Sequence, residues 1–189
     1  MDEDVAHFVD LRGTVLDIGG RGEHSYSHVI ERSNATRFFV LDIVPDRTVD
    51  INGSAVRVPL ASGSCDVVLC FNTLEHIFDY ASALDEIWRV LKSGGTLYGR
   101  VPFLMNIHSD PSDHWRYTRW TLECILEQDG FKQISIIANG GLFWVLLNLL
   151  EPVWRRIGFL RALFALAFVF MHHVLVAFVG EAANQERYP

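Results

Sequence analysis

A chain of 189 residues, half of them apolar, is long enough to bury one substantial core and too hydrophobic to stay disordered. Its formal net charge of -7 excludes a nucleic-acid binder that works through a broad basic face. The acidity is local, since residues 1–139 carry 12 Lys+Arg against 20 Asp+Glu and residues 140–189 carry 4 against 3. Three scattered cysteines, Cys65, Cys70 and Cys124, have neither zinc-site spacing nor the look of a disulfide framework. They fit a reducing compartment and are expected in or near the core. The acidic start Met1-Asp2-Glu3-Asp4 has no apolar stretch behind it and so reads without a secretory signal, which leads us to expect a cytoplasmic protein.

Residues 2–11 suit a short amphipathic helix with Val5, Phe8 and Val9 on one side and Gly13 beyond its end. The next apolar run, 14–18, reads as a buried strand that spills into Gly19-Gly20-Arg21-Gly22-Glu23. Glycine permits positive φ and close approach of the backbone, and a helix over 25–32 would aim its N-terminus at the same spot. Taken alone, that turn fits a ligand loop and an ordinary strand-to-helix connection equally well. A second strand, 37–42, again finishes on an acid, Asp42. Two βα units whose strands end on aspartate point to a parallel sheet with its site at the strands' C-terminal ends.

Residues 56–60 read as a short third strand, and 66–71 as a continuously apolar fourth one, as a sheet covered on both faces requires. Asn72-Thr73-Leu74-Glu75-His76 leaves it as a loop. A helix is expected over 80–91, with Asp79 or Ser82 near its start and Ala81, Leu84, Trp88 and Leu91 on one face. Lys92-Ser93-Gly94-Gly95 stops it, and 96–101 reads as a fifth strand. Between 102 and 118 lies a polar loop with His108, Asp110, Asp113, His114, Trp115, Arg116 and Tyr117. Thr118 or Thr121 can cap a helix to Asp129 whose Leu122, Ile125 and Leu126 face inward, and 131–138 alternates as a sixth strand would.

The rhythm breaks at Asn139-Gly140-Gly141, which divides a domain of regular β/α alternation, 1–138, from an apolar helical appendage, 139–189. Residues 142–150 are apolar all round, 151–156 form a charged interruption containing Pro152, and 162–180 contain no Asp, Glu, Lys or Arg. The last run approaches the ~20 residues of a bilayer span. His172 and His173 near its middle make a span costly. Arg155, Arg156 and Arg161 beside apolar stretches fit a segment lying on an anionic membrane surface, or helices packed over the domain or against a second copy of the chain, and these readings stand level. Adjacent histidines on a helix point about 100° apart and have no further ligands nearby, so no metal site is expected there or elsewhere.

The run Cys65-Asp66-Val67-Val68-Leu69-Cys70-Phe71-Asn72-Thr73-Leu74-Glu75-His76-Ile77, followed by Ile87-Trp88-Arg89-Val90-Leu91-Lys92-Ser93-Gly94-Gly95, resembles the Rossmann-like S-adenosylmethionine-dependent methyltransferases. The likeness covers roughly residues 14–137. The loop His108-Ser109-Asp110-Pro111-Ser112-Asp113-His114-Trp115-Arg116-Tyr117-Thr118 is similar to one found in bacterial members associated with glycan and cell-surface biosynthesis. The resemblance implies an α/β fold with a doubly wound, mostly parallel sheet, S-adenosylmethionine as cofactor, and methyl transfer to oxygen or nitrogen of a small or lipid-linked acceptor. It also implies that Asp17, Gly19, Gly20 and Gly22 embrace the methionine part of the cofactor, that Asp42 binds the ribose hydroxyls, that Ser54 and Ala55 touch adenine, and that Asn72 lies beside the cofactor. Family members usually carry Asp-x-Gly-x-Gly-x-Gly, whereas Arg21 and Glu23 stand here in place of the second and third glycines. Arg21 either binds the cofactor carboxylate or closes the pocket by its bulk.

Methyl transfer is an in-line displacement at carbon, so the protein supplies alignment and, for a hydroxyl acceptor, a base. His108 and Asp113, on the loop after the fifth strand, are the candidates; the competing role for Asp113 is an ion pair with Arg116 that pins the loop. His76, next to Glu75, suits a bond from its loop to the neighbouring helix as well as it suits catalysis. Trp115 and Tyr117 either stack on a sugar or pack inward. Two other classes compete. A nicotinamide-dependent oxidoreductase should show Gly-x-Gly-x-x-Gly, and Ser25 stands where the last glycine belongs. A scaffold that kept the fold but lost the cofactor draws its support from Arg21.

Overall fold

The structure is a computed structural model that describes residues 11–21, 37–108, 112–138, 141, 145–146 and 148–150. The helices expected over 2–11 and 25–32 lie almost wholly outside these residues, as do Gly22, Asp110 and everything after 150. The chain divides into two compact units, Met1–Ala138 and Asn139–Pro189, and the sheet and the candidate site belong to the first. No described helix is long and apolar enough to cross a membrane.

Five strands, β1 (Thr14–Ile18), β2 (Arg37–Asp42), β3 (Ile51–Asn52), β4 (Cys65–Phe71) and β5 (Leu91–Arg100), form one sheet in the order β3-β2-β1-β4-β5. Every pairing is parallel: Leu16 sits opposite Phe39 on one side and Val68 on the other, and Leu69 opposite Tyr98. The chain thus winds outward from β1 to β3 and then returns across β1 to start β4. That reversal leaves a crevice at the C-terminal ends of β1 and β4, where an open parallel sheet takes its ligand.

Side chains alternate between the faces of a strand, so a strand covered on both faces must be apolar throughout. Leu16, Ile18, Val68 and Cys70 face a core shared with helix α1 (Tyr80–Val90), while Val15, Val67, Leu69 and Phe71 form a second cluster with Leu11. Each buried aliphatic side chain contributes about 1.5–3 kcal/mol, so these two clusters set the sheet's register. At the opposite end of the strands from the crevice, Asp66 accepts from the Thr14 amide at 2.7 Å and from Lys92 Nζ at 2.7 Å, tying β4 to β1 and β5.

Asp79, rather than Ser82, caps α1, accepting from the Ser82 amide at 3.2 Å. Its buried face is Ala83, Leu84, Ile87 and Val90, not the Ala81, Leu84, Trp88 and Leu91 stripe expected from spacing. Both stripes have helical period, but Leu91 already belongs to β5, and the direct passage from helix to strand fixes how α1 is rotated about its axis. Trp88 is therefore 48% exposed and meets the Phe131 ring at 5.0 Å. Helix α2 (Arg119–Gln128) is capped by Thr118, and its Leu122, Ile125 and Leu126 pack against the core as expected. Cys65 and Cys70 are buried, whereas Cys124 is exposed on α2.

Two expected strands are absent from the described residues. Residues 56–60 form no ladder, because their backbone groups are taken up by α1: Glu86 accepts from the Val58 amide at 2.7 Å, and Arg89 donates to the carbonyls of Val58 and Leu60 at 2.8 and 2.7 Å. Pro59 lacks an amide to give a ladder in any case. The third strand is Ile51–Asn52 instead. Residues 131–138 are not a strand either, since Gln133 takes a φ of 55° that interrupts extended backbone, and the Phe131 amide closes the end of α2 on the Leu126 carbonyl at 3.0 Å.

Candidate active site at the carboxyl ends of the strands

The turn after β1 is held shut from two sides. The Gly19 amide donates to the Leu41 carbonyl of β2 at 2.8 Å, and Thr73 Oγ1, beyond β4, donates to the Ile18 carbonyl at 3.1 Å. Gly19 has a φ of 78°, and a Cβ there would lie 2.2 Å from Thr73 Oγ1. A Cβ on Gly20 would lie 2.4 Å from Asp17 Oδ2, so the backbone passes directly over the buried Asp17 carboxylate. Glycine is required at both positions for these reasons. Arg21, half-buried, follows close enough to Asp46 to help hold that carboxyl below its usual range, though the Thr48 hydroxyl bonded to Asp46 does so more strongly.

At the end of β2, Asp42 Oδ1 accepts from the Val44 amide at 2.8 Å, while Asn52 Nδ2 donates to the carbonyls of Asp42 and Ile43, both at 3.1 Å. These bonds fix the Asp42 carboxylate at the strand tip, one strand away from Asp17. Ser54 and Ala55 follow β3; the Arg57 amide closes a turn on the Ser54 carbonyl at 3.0 Å, and the Ala55 methyl faces the core, so Ala55 offers its backbone. Asn72 leaves β4 with a φ of 49°, exposed, its amide bound to the Arg100 carbonyl at 2.8 Å. Asparagine is one of the few residues with a side chain that tolerates this region.

The polar loop after β5 is folded back onto the turn that follows β4. Both terminal nitrogens of the Arg116 guanidinium donate to Asp113, which also accepts from the His108 amide at 2.9 Å. This grip holds the Asp113 carboxyl far below the ordinary carboxylate range. Trp115 Nε1 donates to the Ile77 and Phe78 carbonyls at 3.1 and 3.2 Å, and the amides of His114 and Trp115 both donate to the Glu75 carbonyl, at 2.8 and 3.2 Å. Tyr117 is buried, donates to the Leu74 carbonyl at 3.3 Å, and is pushed up in pKa by that burial. The two aromatic residues therefore pack.

Beneath the loop sits a residue to which no site role attached in the sequence. Glu75, in the single helical turn Leu74–His76, is 0% exposed, and neither carboxylate oxygen receives a hydrogen bond from the described residues. Burial raises its pKa. Its Oε1 lies 3.7 Å from His76 Nε2 and 3.9 Å from His108 Nε2, with the two imidazoles edge to face at 5.0 Å. His108 and Asp113 are thus brought together with Glu75 and His76 at the end of β4, while Asp17, Gly19, Gly20 and Asp42 gather at the ends of β1 and β2. The sequence signal available for Glu75 was its place at the mouth of β4, four residues past the strand, beside a histidine.

The sequence of residues 16–99 matches a family described as a methyltransferase domain. A protein of Mycolicibacterium smegmatis named a probable S-adenosylmethionine-dependent methyltransferase is 40% identical over 55 residues, which is 29% of this chain and 21% of that one. A crystal structure of an S-adenosylmethionine-dependent methyltransferase from Aquifex aeolicus is similar over 67% of this chain and 76% of that chain, at a TM-score of 0.54 and 18% identity. Another from Archaeoglobus fulgidus covers 72% and 76%, at a TM-score of 0.51 and 20% identity. The fold is the methyltransferase fold. In this fold the glycine turn, Asp17 and Asp42 lie at the reversal of strand order, and the loop carrying His108 lies at the neighbouring strand end.

Proposed function

We propose that the protein transfers a methyl group from S-adenosylmethionine to an oxygen or nitrogen of a small or lipid-linked acceptor, with a glycan intermediate as the preferred class. The observation that carries this reading is the pair of carboxylates, Asp17 and Asp42, at the tips of adjacent strands on either side of a turn packed so closely that two glycines are required. The donor set suits a cofactor that has an ammonium group at one end and a vicinal diol further along. Asp17 and the backbone of 19–21 would take the amino-acid end, and Asp42, whose Oδ1 is already committed to Val44, would accept from the diol through its remaining lone pairs. Asn72 and the backbone near Ser54 and Ala55 would flank the same ligand. Bound there, the sulfonium supplies an electrophilic methyl group.

A hydroxyl acceptor must give up a proton, and the cluster of Glu75, His76 and His108 is the group of residues able to receive it. His108 is the member an acceptor can reach, at 35% side-chain exposure against 12% for His76 and 0% for Glu75. Asp113 and Arg116 position it. Support for the glycan class comes from the sequence of the 108–118 loop.

Titration calorimetry with S-adenosylmethionine tests the cofactor reading. Asp42→Ala should weaken binding about 10- to 100-fold, the effect of losing charge-assisted hydrogen bonds. Equal affinity for wild type and variant would reject the ribose assignment, and binding of NAD in place of S-adenosylmethionine would reject the reading altogether. No binding of either would favour a scaffold, with Arg21 obstructing the turn. A screen of cell-surface precursors with radiolabelled methyl donor would then identify the acceptor.

A further inference from the structure

Glu75 poses a physical problem that the proposed reaction does not solve. A fully buried carboxylate with no hydrogen bond is costly. The two imidazoles nearest to it have their protons engaged elsewhere. His76 Nδ1 is bonded to the Ser112 carbonyl, which can only accept, so that nitrogen carries a hydrogen and Nε2 is the atom turned toward Glu75. His108 Nδ1 faces two acceptors, the Asn106 carbonyl at 3.3 Å and Asp113 Oδ2 at 3.4 Å, and the same assignment follows. The Nε2 atoms of both imidazoles therefore converge on one carboxylate oxygen, an arrangement that a cation lying between them would satisfy.

We propose that Glu75, His76 and His108 form a binding site for a divalent transition-metal ion of the zinc class. One ligand atom from each residue falls within 4.8 Å of the other two. The 3.7 and 3.9 Å separations measured from Glu75 Oε1 exceed by only about half an ångström the ~3.4 Å edge of a tetrahedron with ligands ~2.1 Å from the metal. Each imidazole also has the outer partner that metal-bound histidines have: a backbone carbonyl for His76 and a carboxylate for His108. Two nitrogens and one oxygen suit zinc or cobalt better than magnesium or calcium, which prefer oxygen alone. Three protein ligands leave a coordination position open on the side of His108, the most exposed of the three. Arg116, whose charge also acts on Glu75, is paired with Asp113. With the ion bound, His108 is a ligand and no longer a free base, and the open coordination position would ionise the acceptor hydroxyl in its place; that part rests on the function proposed above, but the ion's binding does not.

The test is direct titration of the chelator-treated full chain with Zn2+ and with Co2+. One ion should bind per chain, the bound cobalt should show the intensified ligand-field absorption of a site with fewer than six ligands, and Zn2+ should raise the melting temperature. Glu75→Gln and His108→Gln should each weaken binding at least ~10-fold, and Asp113→Asn, which leaves the three ligands in place, should weaken it by about 10-fold. Exchanging the paired His172 and His173 for alanine should change nothing. Glu75→Gln also provides the control for folding, because without metal it removes an unsatisfied buried charge and should melt no lower than wild type. Absence of stoichiometric binding, or binding that survives Glu75→Gln and His108→Gln, would overturn the site, whether or not the protein binds S-adenosylmethionine.

Discussion

Gly19 shows how one side chain's absence builds the turn after β1. Its φ of 78° costs an L-residue about 1–2 kcal/mol, and a methyl group would also overlap Thr73 Oγ1 at 2.2 Å. Gly19→Ala should therefore destabilise the protein by ~2 kcal/mol or more in urea denaturation. Adding Thr73→Ala should return only the steric part, because the backbone conformation is unchanged; full recovery would mean that φ carries no cost here. The tight turn at Gly19 was legible in the sequence because glycine at the end of an apolar run permits positive φ, although that stretch alone left its purpose open. Thr73 was not, since its contact is with a residue 55 positions away. Asp113 was legible only as two competing roles. A carboxylate three residues from an arginine on a loop can pair with it or face outward, and here both terminal guanidinium nitrogens hold it. Glu75 went unassigned because its burial comes from the 112–117 loop folding over it, a long-range event.

At the scale of elements, the apolar strands β1, β2 and β4 were readable because burial on both faces leaves an uninterrupted signature. Residues 56–60 misled because Val56, Val58 and Leu60 have the right alternation, while what decides their structure is the pair Glu86 and Arg89 on α1. Arg89 Nε lies 2.6 Å from Glu86 Oε1, and this bond lowers the pKa of Glu86. A carboxyl with a lower pKa in the folded state than in the unfolded one contributes stability above the unfolded value, ~4.3, and loses it as pH falls through the folded value. Wild-type protein should accordingly lose melting temperature as the pH drops from about 4.5. Glu86→Gln should melt lower at pH 7, by about 1–3 kcal/mol in stability, and show a shallower acid limb. An acid limb of unchanged slope would assign that sensitivity to other carboxylates, such as Asp66 with Lys92.

For the molecule as a whole, the alternation of strand and helix was enough to anticipate a parallel sheet with its site at the carboxyl ends, because right-handed crossovers allow few alternatives. The order β3-β2-β1-β4-β5 then places the reversal beside the glycine turn. The segment beyond residue 150 lies outside the described residues, and its sequence carries a distinct charge balance. The excess of acid belongs to residues 1–139, so the whole chain should be repelled by an anionic bilayer, while 140–189 carry 4 Lys+Arg against 3 Asp+Glu among long apolar runs. If Arg155, Arg156 and Arg161 lie at a lipid surface, each contributes about 1 kcal/mol, enough together for ~100-fold tighter binding to anionic than to zwitterionic vesicles. The full chain should then float with vesicles containing anionic lipid, detach as salt rises, and fail to float when the three arginines are exchanged for glutamate. A chain that stays at the bottom of the gradient and sediments as a dimer would instead assign the apolar segment to pairing with a second copy, and the lipid-linked acceptor would lose its main support.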